Sequence, residues 1–272
     1  MTQNKKKSKE PVMSLTIEVT LNTKSKLFSH APNVVSKEPN KTITDVCTGQ
    51  PGSLPVLNKE AVKKAVQFGC AIYSHVSRLS LFDRKLYFHP ESPKNYVITQ
   101  FHDPLIQGGV LRTSILGEIK EFFIRKAFLE EKSGATKQTG SFIGLDYNRA
   151  GAPLLKIISE PCIYSAKEAV AYTLALESLI KQLGISNEPL KVEITIPTTE
   201  NNLDFLLFQD VNKNPNTLFN FFESEIKKVT TLKKEKTTEE ALYLPEPDLL
   251  PLVLSETYIE EIMNGLPKLA IF

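Results

Sequence analysis

The sequence lacks tryptophan, holds only 3 cysteines in 272 residues, and has no apolar run near the ~20 residues that a helix needs to cross a bilayer. A transmembrane protein is therefore not expected. Cys47, Cys70 and Cys162 stand far apart, which argues against a disulfide framework and for a reducing compartment, the cytoplasm. No Cys/His pair is closely spaced, so a zinc site is not expected either. Excess charge is missing too. The net charge is +2, and the first ten residues alone contribute +3 through Lys5, Lys6, Lys7 and Lys9 against Glu10, leaving −1 for the rest. Bulk charge thus does not mark a nucleic-acid-binding protein. The basic head has neither the apolar stretch of a secretory signal nor the arginines of a transit peptide, and residues 1–12 read as a disordered, solubilising tail. What is present is ordinary: 41% hydrophobic and 24% charged residues, a globular composition long enough for one large domain or two small ones.

Periodicity supplies the elements. Residues 14–21 alternate, with Leu15, Ile17, Val19 and Leu21 on one side and Thr16, Glu18 and Thr20 on the other, as in a half-buried strand. Residues 30–56 read as loop. Asn58 can cap a helix whose apolar stripe is Val62, Ala65, Val66, Gly69, Cys70 and Tyr73. Residues 78–101 read as irregular, ending in a short strand at 96–101, and 110–130 as a hairpin around Gly117. Ser165 and Glu168 form a capping box before a helix that buries Ala169, Thr173, Leu176, Leu179, Ile180 and Leu183 and stops at Gly184. A strand follows at 190–196. A helix opening at Asn216 carries Phe219, Phe222, Ile226 and Val229 on one face. Residues 227–240, with five Lys and three Glu, read as an exposed connection, and a short helix is expected at 256–264. Strands and helices without regular alternation indicate an α+β fold with a mixed, largely antiparallel sheet and flanking helices.

Three stretches are more specific than pattern. They are LNTKSKLFS (21–29) with GQPGSLPVLN (49–58), FDRKLYFHPESPKNYVITQ (82–100), and LDYNRAGAPLLKIISEP (145–161). FLEEKSG (128–134) and LPEPDLLPLVLS (244–255) support them. Together, and in this order, they resemble the B-subunit family of the tRNA-dependent aspartyl/glutamyl-tRNA amidotransferases. The resemblance runs from about residue 14 to 267 and is poor at 185–240.

That resemblance implies a cradle domain similar to glutamine synthetase over residues 13–267. The family works with the A and C subunits of the amidotransferase. It uses ATP and magnesium to phosphorylate the side-chain carboxylate of a misacylated Glu-tRNA or Asp-tRNA, and ammonia then displaces phosphate. The helical domains that hold tRNA in the family are not expected within this chain, so aminoacyl-tRNA would be held weakly or not at all. Carried over position by position, the resemblance gives Glu130, Glu131 and Arg149 catalytic roles. It gives Arg84, Lys85 and Asn148 nucleotide-facing roles, and it gives Glu18 and Glu130 to the metal.

The sequence departs from the family at that metal. Where the family's first strand reads Gly-Leu-Glu-Ile-His, this chain reads Ser14-Leu15-Thr16-Ile17-Glu18. Lys156 stands where the family has Glu, Lys132 where it has Asp, and Phe128 where it has His. The changes at 16, 18 and 156 shift the local charge by about +2, that of one magnesium ion. Lys156 is therefore expected near the metal position, paired with Glu130 or Glu18. Two function classes follow. One is an enzyme component that activates an acyl-tRNA carboxylate. The other is a catalytically impaired paralogue that keeps the cradle as a binding module. For several residues the unspecific role stays open: Thr16 and Glu18 as the wet side of a strand, Glu130 and Glu131 as solvent-facing acids, Asn148 and Arg149 as structural groups. Cys47 reads as a lone thiol.

Overall fold

The computed structural model describes residues 13–197, 202–210, 214–231 and 241–269. The basic head, which the sequence marks as a disordered tail, lies outside them. Strand β1 (Ser14–Thr20) follows the expected alternation, with Leu15, Ile17 and Val19 fully buried. The loop expected at 30–56 contains one short helix, α1 (Asp45–Thr48), closed by Gly49 at φ +66°. Helix α2 (Lys59–Ala71) begins where the cap predicts, since the Asn58 side chain accepts from the amides of Glu60 and Ala61. Tyr73 is not part of its stripe: it lies beyond the helix end, at φ +56° and 80% exposed.

β2 (His75–Val76) precedes the stretch expected to be irregular, β3 (Leu79–Ser80) and β4 (Asp83–Leu86) organise its first part, and β5 (Tyr96–Thr99) is the short strand expected at its end. With 2 and 4 residues, β3 and β4 are too short for periodicity to register. After β6 (Ile106–Gln107), β7 (Val110–Ile115) and β8 (Glu118–Glu131) make the expected hairpin. Its two turn residues, Leu116 and Gly117, both have positive φ, the primed-turn geometry that suits a twisted hairpin. A separate ribbon of β9 (Ala135–Thr139) and β10 (Phe142–Asp146) leads to β11 (Pro153–Ser159).

Helix α3 (Ala166–Gln182) has the Ser165 cap, but Glu168 reaches back to the amide of Tyr164, not of Ser165. Strands β12 (Lys191–Pro197) and β13 (Asn202–Asp210) precede α4 (Pro215–Thr231). This helix starts one residue earlier than the sequence suggests. Asn214 accepts from the amide of Asn216, and Pro215 takes the first helical position, where its missing N–H costs nothing. The expected connection at 227–240 therefore begins as helix, and 232–240 lie outside the described residues. β14 (Tyr243–Pro245), β15 (Leu252–Val253) and α5 (Glu256–Asn264), capped by Ser255, are the last elements among the described residues.

The fold is α+β. One 11-stranded sheet runs β13-β12-β1-β11-β8-β5-β4-β14, and every pairing among the described strands is antiparallel. β8 is the hub. Its first half pairs with β7, and its second half pairs with β11 on one side and with β6 and β5 on the other, so the sheet curls into a cradle. One side of the sheet is apolar. Leu15, Ile17 and Val19 of β1, Leu155 and Ile157 of β11 and Ala127 and Leu129 of β8 join the buried faces of α2 and α3 in one core. Each fully buried Leu or Ile stabilises this arrangement by about 1.5–3 kcal/mol. The opposite side carries the polar residues of the same strands.

Candidate functional site

Strand alternation and register build the site together. In β1, Thr16 and Glu18 must project away from the core because Leu15, Ile17 and Val19 fill it. Glu18 sits directly opposite Lys156 of β11, and Lys156 directly opposite Phe128 of β8. Residues that face each other in an antiparallel pair share a side of the sheet. Glu130 is two residues beyond Phe128, hence on that same side, with Leu154 and Thr99 as its neighbours across the strands. The Lys156 ammonium closes the arrangement, with Nζ 3.2 Å from Glu18 Oε1 and 2.6 Å from Glu130 Oε1. All three side chains are mostly buried, at 15%, 11% and 7% exposure for Lys156, Glu18 and Glu130.

Burial is the largest influence on both Lys156 and Glu130, and it opposes charge on each. Their mutual attraction outweighs it. Glu130 and Glu18 hold the Lys156 ammonium protonated, above the ordinary lysine range. Lys156, then Lys85, holds the Glu130 carboxyl below the usual carboxylate range. Lys85 lies opposite Val97 of β5 and Tyr243 of β14, on the cradle side by the same alternation. Burial, with the Glu130 charge behind it, pushes the Tyr243 phenol up to about 12. Lys132 enters the same neighbourhood: burial lowers its pKa most, followed by the like charges of Lys191 and Arg149.

The other expected site residues are elsewhere or already engaged. Glu131 follows Glu130 in the strand and so points to the opposite side. There its carboxylate pairs with Lys94 and accepts from the amide of Ile98 at 2.8 Å. Arg84 also faces away from Lys85. Its guanidinium grips Glu246 through two bonds of 2.9 Å, reaches Asp248 at 2.7 Å, and lies over the Tyr96 ring at 4.4 Å. Asn148 staples a loop: its Oδ1 accepts from the amides of Lys41 and Thr42, and its Nδ2 donates to the Glu38 carbonyl. Arg149 donates to both oxygens of Glu188 at 2.8 and 2.7 Å. The structure thus brings Glu18, Glu130, Lys156 and Lys85 together, with Thr16 on the same side, and gives Glu131, Arg84, Asn148 and Arg149 other partners.

Two groups escape a reading of the sequence. Glu246 and Asp248 sit between prolines that read as architecture, and only the acid–proline alternation hints at an arginine clamp. Lys26 is 1% exposed and places Nζ 3.6 Å from the Cys47 thiol. Burial pushes that thiol up, but hydrogen bonds from Ser29 and Thr44 and the Lys26 charge bring it below its ordinary value. No pattern links residues 26 and 47 in the sequence.

The donor set can be tested against magnesium, which demands near-octahedral oxygen ligands at about 2.0–2.1 Å. Glu193 of β12 stands across from Thr16, with Lys191 across from Glu18, while Glu18 and Glu130 are the carboxylates that hold the Lys156 ammonium. An ion at bonding distance from their Oε1 atoms would crowd the ammonium they already hold. At an effective dielectric of about 20, single and double positive charges about 4 Å apart repel by about 8 kcal/mol. Among the described residues, no three His, Cys, Asp or Glu side chains converge in a way that could hold a metal ion. The residues present do not fit magnesium at this position.

The comparison with known proteins covers nearly the whole chain. The family model described as the GatB/GatE catalytic domain matches residues 11–194. The proteins named as the B subunit of aspartyl/glutamyl-tRNA(Asn/Gln) amidotransferase in Protochlamydia amoebophila and Chlamydia caviae are each 41% identical to it. The protein of the same name in Chlamydia trachomatis is 40% identical. The alignments take in 96% of this chain and 60–61% of those proteins, so the chain spans about three fifths of the length of the curated relatives it matches. A cradle built on one antiparallel sheet, a family match over most of that cradle, and identity at this level lead to one conclusion: the chain belongs to the GatB/GatE family of amidotransferase B subunits.

Proposed function

We propose that this chain supplies the carboxylate-activating cradle of a tRNA-dependent amidotransferase, acting in the cytoplasm beside A and C subunits. The observation that carries this reading is the 41% identity, across 96% of the chain, to a protein named as the B subunit of that enzyme. In the proposed reaction the side-chain carboxylate of Glu-tRNA or Asp-tRNA attacks the terminal phosphorus of ATP and ADP leaves. Ammonia from the partner amidase then attacks the acyl carbon and phosphate leaves, giving the amide. ATP is a substrate here. The polar side of the sheet, with Lys85 and Lys132, offers cationic partners to phosphate and acyl oxygens. No step is routed through a magnesium ion at Glu18 and Glu130. The family's domain order would place tRNA contacts outside this cradle.

A second reading has one specific observation in its favour. The Lys156 ammonium fills the acidic pair, so the cradle could keep its partners and ligands while phosphoryl transfer is lost. One experiment separates the two. The full chain is combined with A and C subunits from the same genome, and glutamine- and ATP-dependent conversion of Glu-tRNA to Gln-tRNA is followed. Turnover that Glu130→Ala abolishes supports the enzymatic reading. If the complex assembles but forms no Gln-tRNA or Asn-tRNA, that reading falls in favour of the binding module.

A further inference from the structure

The acidic pair of the cradle already holds a cation, and that cation belongs to the chain. We propose that Lys156 is the resident counter-ion of Glu18 and Glu130 and excludes any divalent ion from them. The argument is geometric. Lys156 stands directly across from Glu18 on the neighbouring strand, and Glu130 lies diagonally beyond it on the next strand. One ammonium therefore bridges two carboxylates, at 3.2 Å and 2.6 Å, from the middle of the sheet. This is the place a shared metal ion would take between two acids on flanking strands.

Three features make the occupant permanent. The lysine stem is anchored in the central strand β11, which is hydrogen-bonded on both sides, so the ammonium is delivered by the backbone and not by a mobile loop. The three side chains are at most 15% exposed, which leaves little room for an ion that keeps several of its waters. Lys85 adds a second positive charge that acts on Glu130. Two carboxylates against one ammonium leave the group with one negative charge and a filled centre. Thr16, on the same side of β1, brings a hydroxyl, and the flanking strand β12 sets Glu193 across from Thr16 and Lys191 across from Glu18, one further charge of each sign.

The proposal concerns the cradle of the reading above but does not rest on it, and its test reads ion binding alone. The full chain, without nucleotide, is titrated with manganese(II), and free ion is measured by electron paramagnetic resonance. The wild-type chain is expected to bind no manganese that depends on the pair, so Glu18→Gln and Glu130→Gln leave its isotherm unchanged. Lys156→Glu converts the group to three carboxylates and is expected to gain one site, at least tenfold tighter than any wild-type binding. That site should disappear again in Lys156→Glu combined with Glu130→Gln. Stoichiometric manganese binding by the wild-type chain that Glu130→Gln removes would overturn the proposal. So would a folded Lys156→Glu protein that gains no site. If Lys156→Glu does not fold, the wild-type chain against Glu130→Gln decides alone. An inactive amidation assay with a silent manganese titration would leave this inference standing and remove the enzymatic one.

Discussion

Glu130 and Glu131 are consecutive residues of β8, and the sheet sends them to opposite sides. Glu130 joins Lys156 and Glu18 on the open cradle side. Glu131 joins Lys94 and the amide of Ile98 on the other. Both side chains are buried, at 7% and 4% exposure, and each has a lysine. What differs is the work left over. Glu131 is satisfied within one corner of the structure and ties the β5 backbone to β8. Glu130 shares its lysine with a second carboxylate, so its group carries a net charge toward the face where a ligand would lie. A doublet of acids in a strand is therefore not a doublet of ligands, because the pleat assigns each one to a different environment.

The contrast breaks most sharply at Lys156. In Lys156→Met two buried carboxylates lose the cation that bridges them, and breaking a buried ion pair from one side costs about 3–5 kcal/mol. Urea denaturation should show that loss, and the double variant Lys156→Met with Glu130→Met should recover a large part of it. A loss below about 1 kcal/mol would mean that the two acids find water instead. Glu131→Gln is the counterpart on the other side, with a smaller expected loss of about 1–3 kcal/mol. The new amide oxygen can still accept from Ile98, and Lys94 keeps the Tyr96 ring at 5.0 Å. Equal losses for the two variants would erase the distinction drawn between the acids.

Much of this arrangement is legible in the sequence. Alternation places β1 and assigns Thr16 and Glu18 to its polar side. The caps at Asn58 and Ser165 locate α2 and α3 because a side chain that accepts from a helix's first amides must sit at one position. The pairing of Lys156 with Glu130 or Glu18 follows from exchanging three residue types in a resembling motif; that it bridges both comes from the register of three strands. What stays hidden depends on distance in sequence. Arg84 meets Glu246 across 162 residues, and Arg149 meets Glu188 across 39. Nothing local distinguishes an arginine clamped by such a partner from one free to meet a phosphate. Asn148 reads as a polar contact in sequence, but its amide serves the loop at 38–42. Grouping Glu130 with Glu131 overlooks a rule that holds equally for β1, that neighbours in a strand face apart.

The smallest effect is also the most diagnostic, because its sign changes. In the wild-type chain Lys156 holds the folded Glu130 carboxyl below its ordinary value. A group lowered in the folded state contributes stability that is present above the unfolded value, about 4.3 for glutamate, and is lost as pH falls through the folded one. The stability difference between the wild-type chain and Glu130→Gln should therefore be constant from pH 7 to about 5 and shrink below about 4.3. Lys156 is raised, so its contribution is fully present below about 10.4 and adds no slope in this acid range. Removing the ammonium inverts the situation. In Lys156→Met the burial that opposes the Glu130 charge is no longer outweighed, and Glu18 adds like-charge repulsion, so the folded carboxyl rises above its unfolded value. Stability then falls as pH rises through about 4.3, where the wild-type contribution increases. Denaturation curves of the two proteins between about pH 3.5 and 7 should show contributions of opposite slope. Parallel curves would mean that Glu130 does not depend on Lys156, and the contrast between the two neighbouring acids would lose its physical basis.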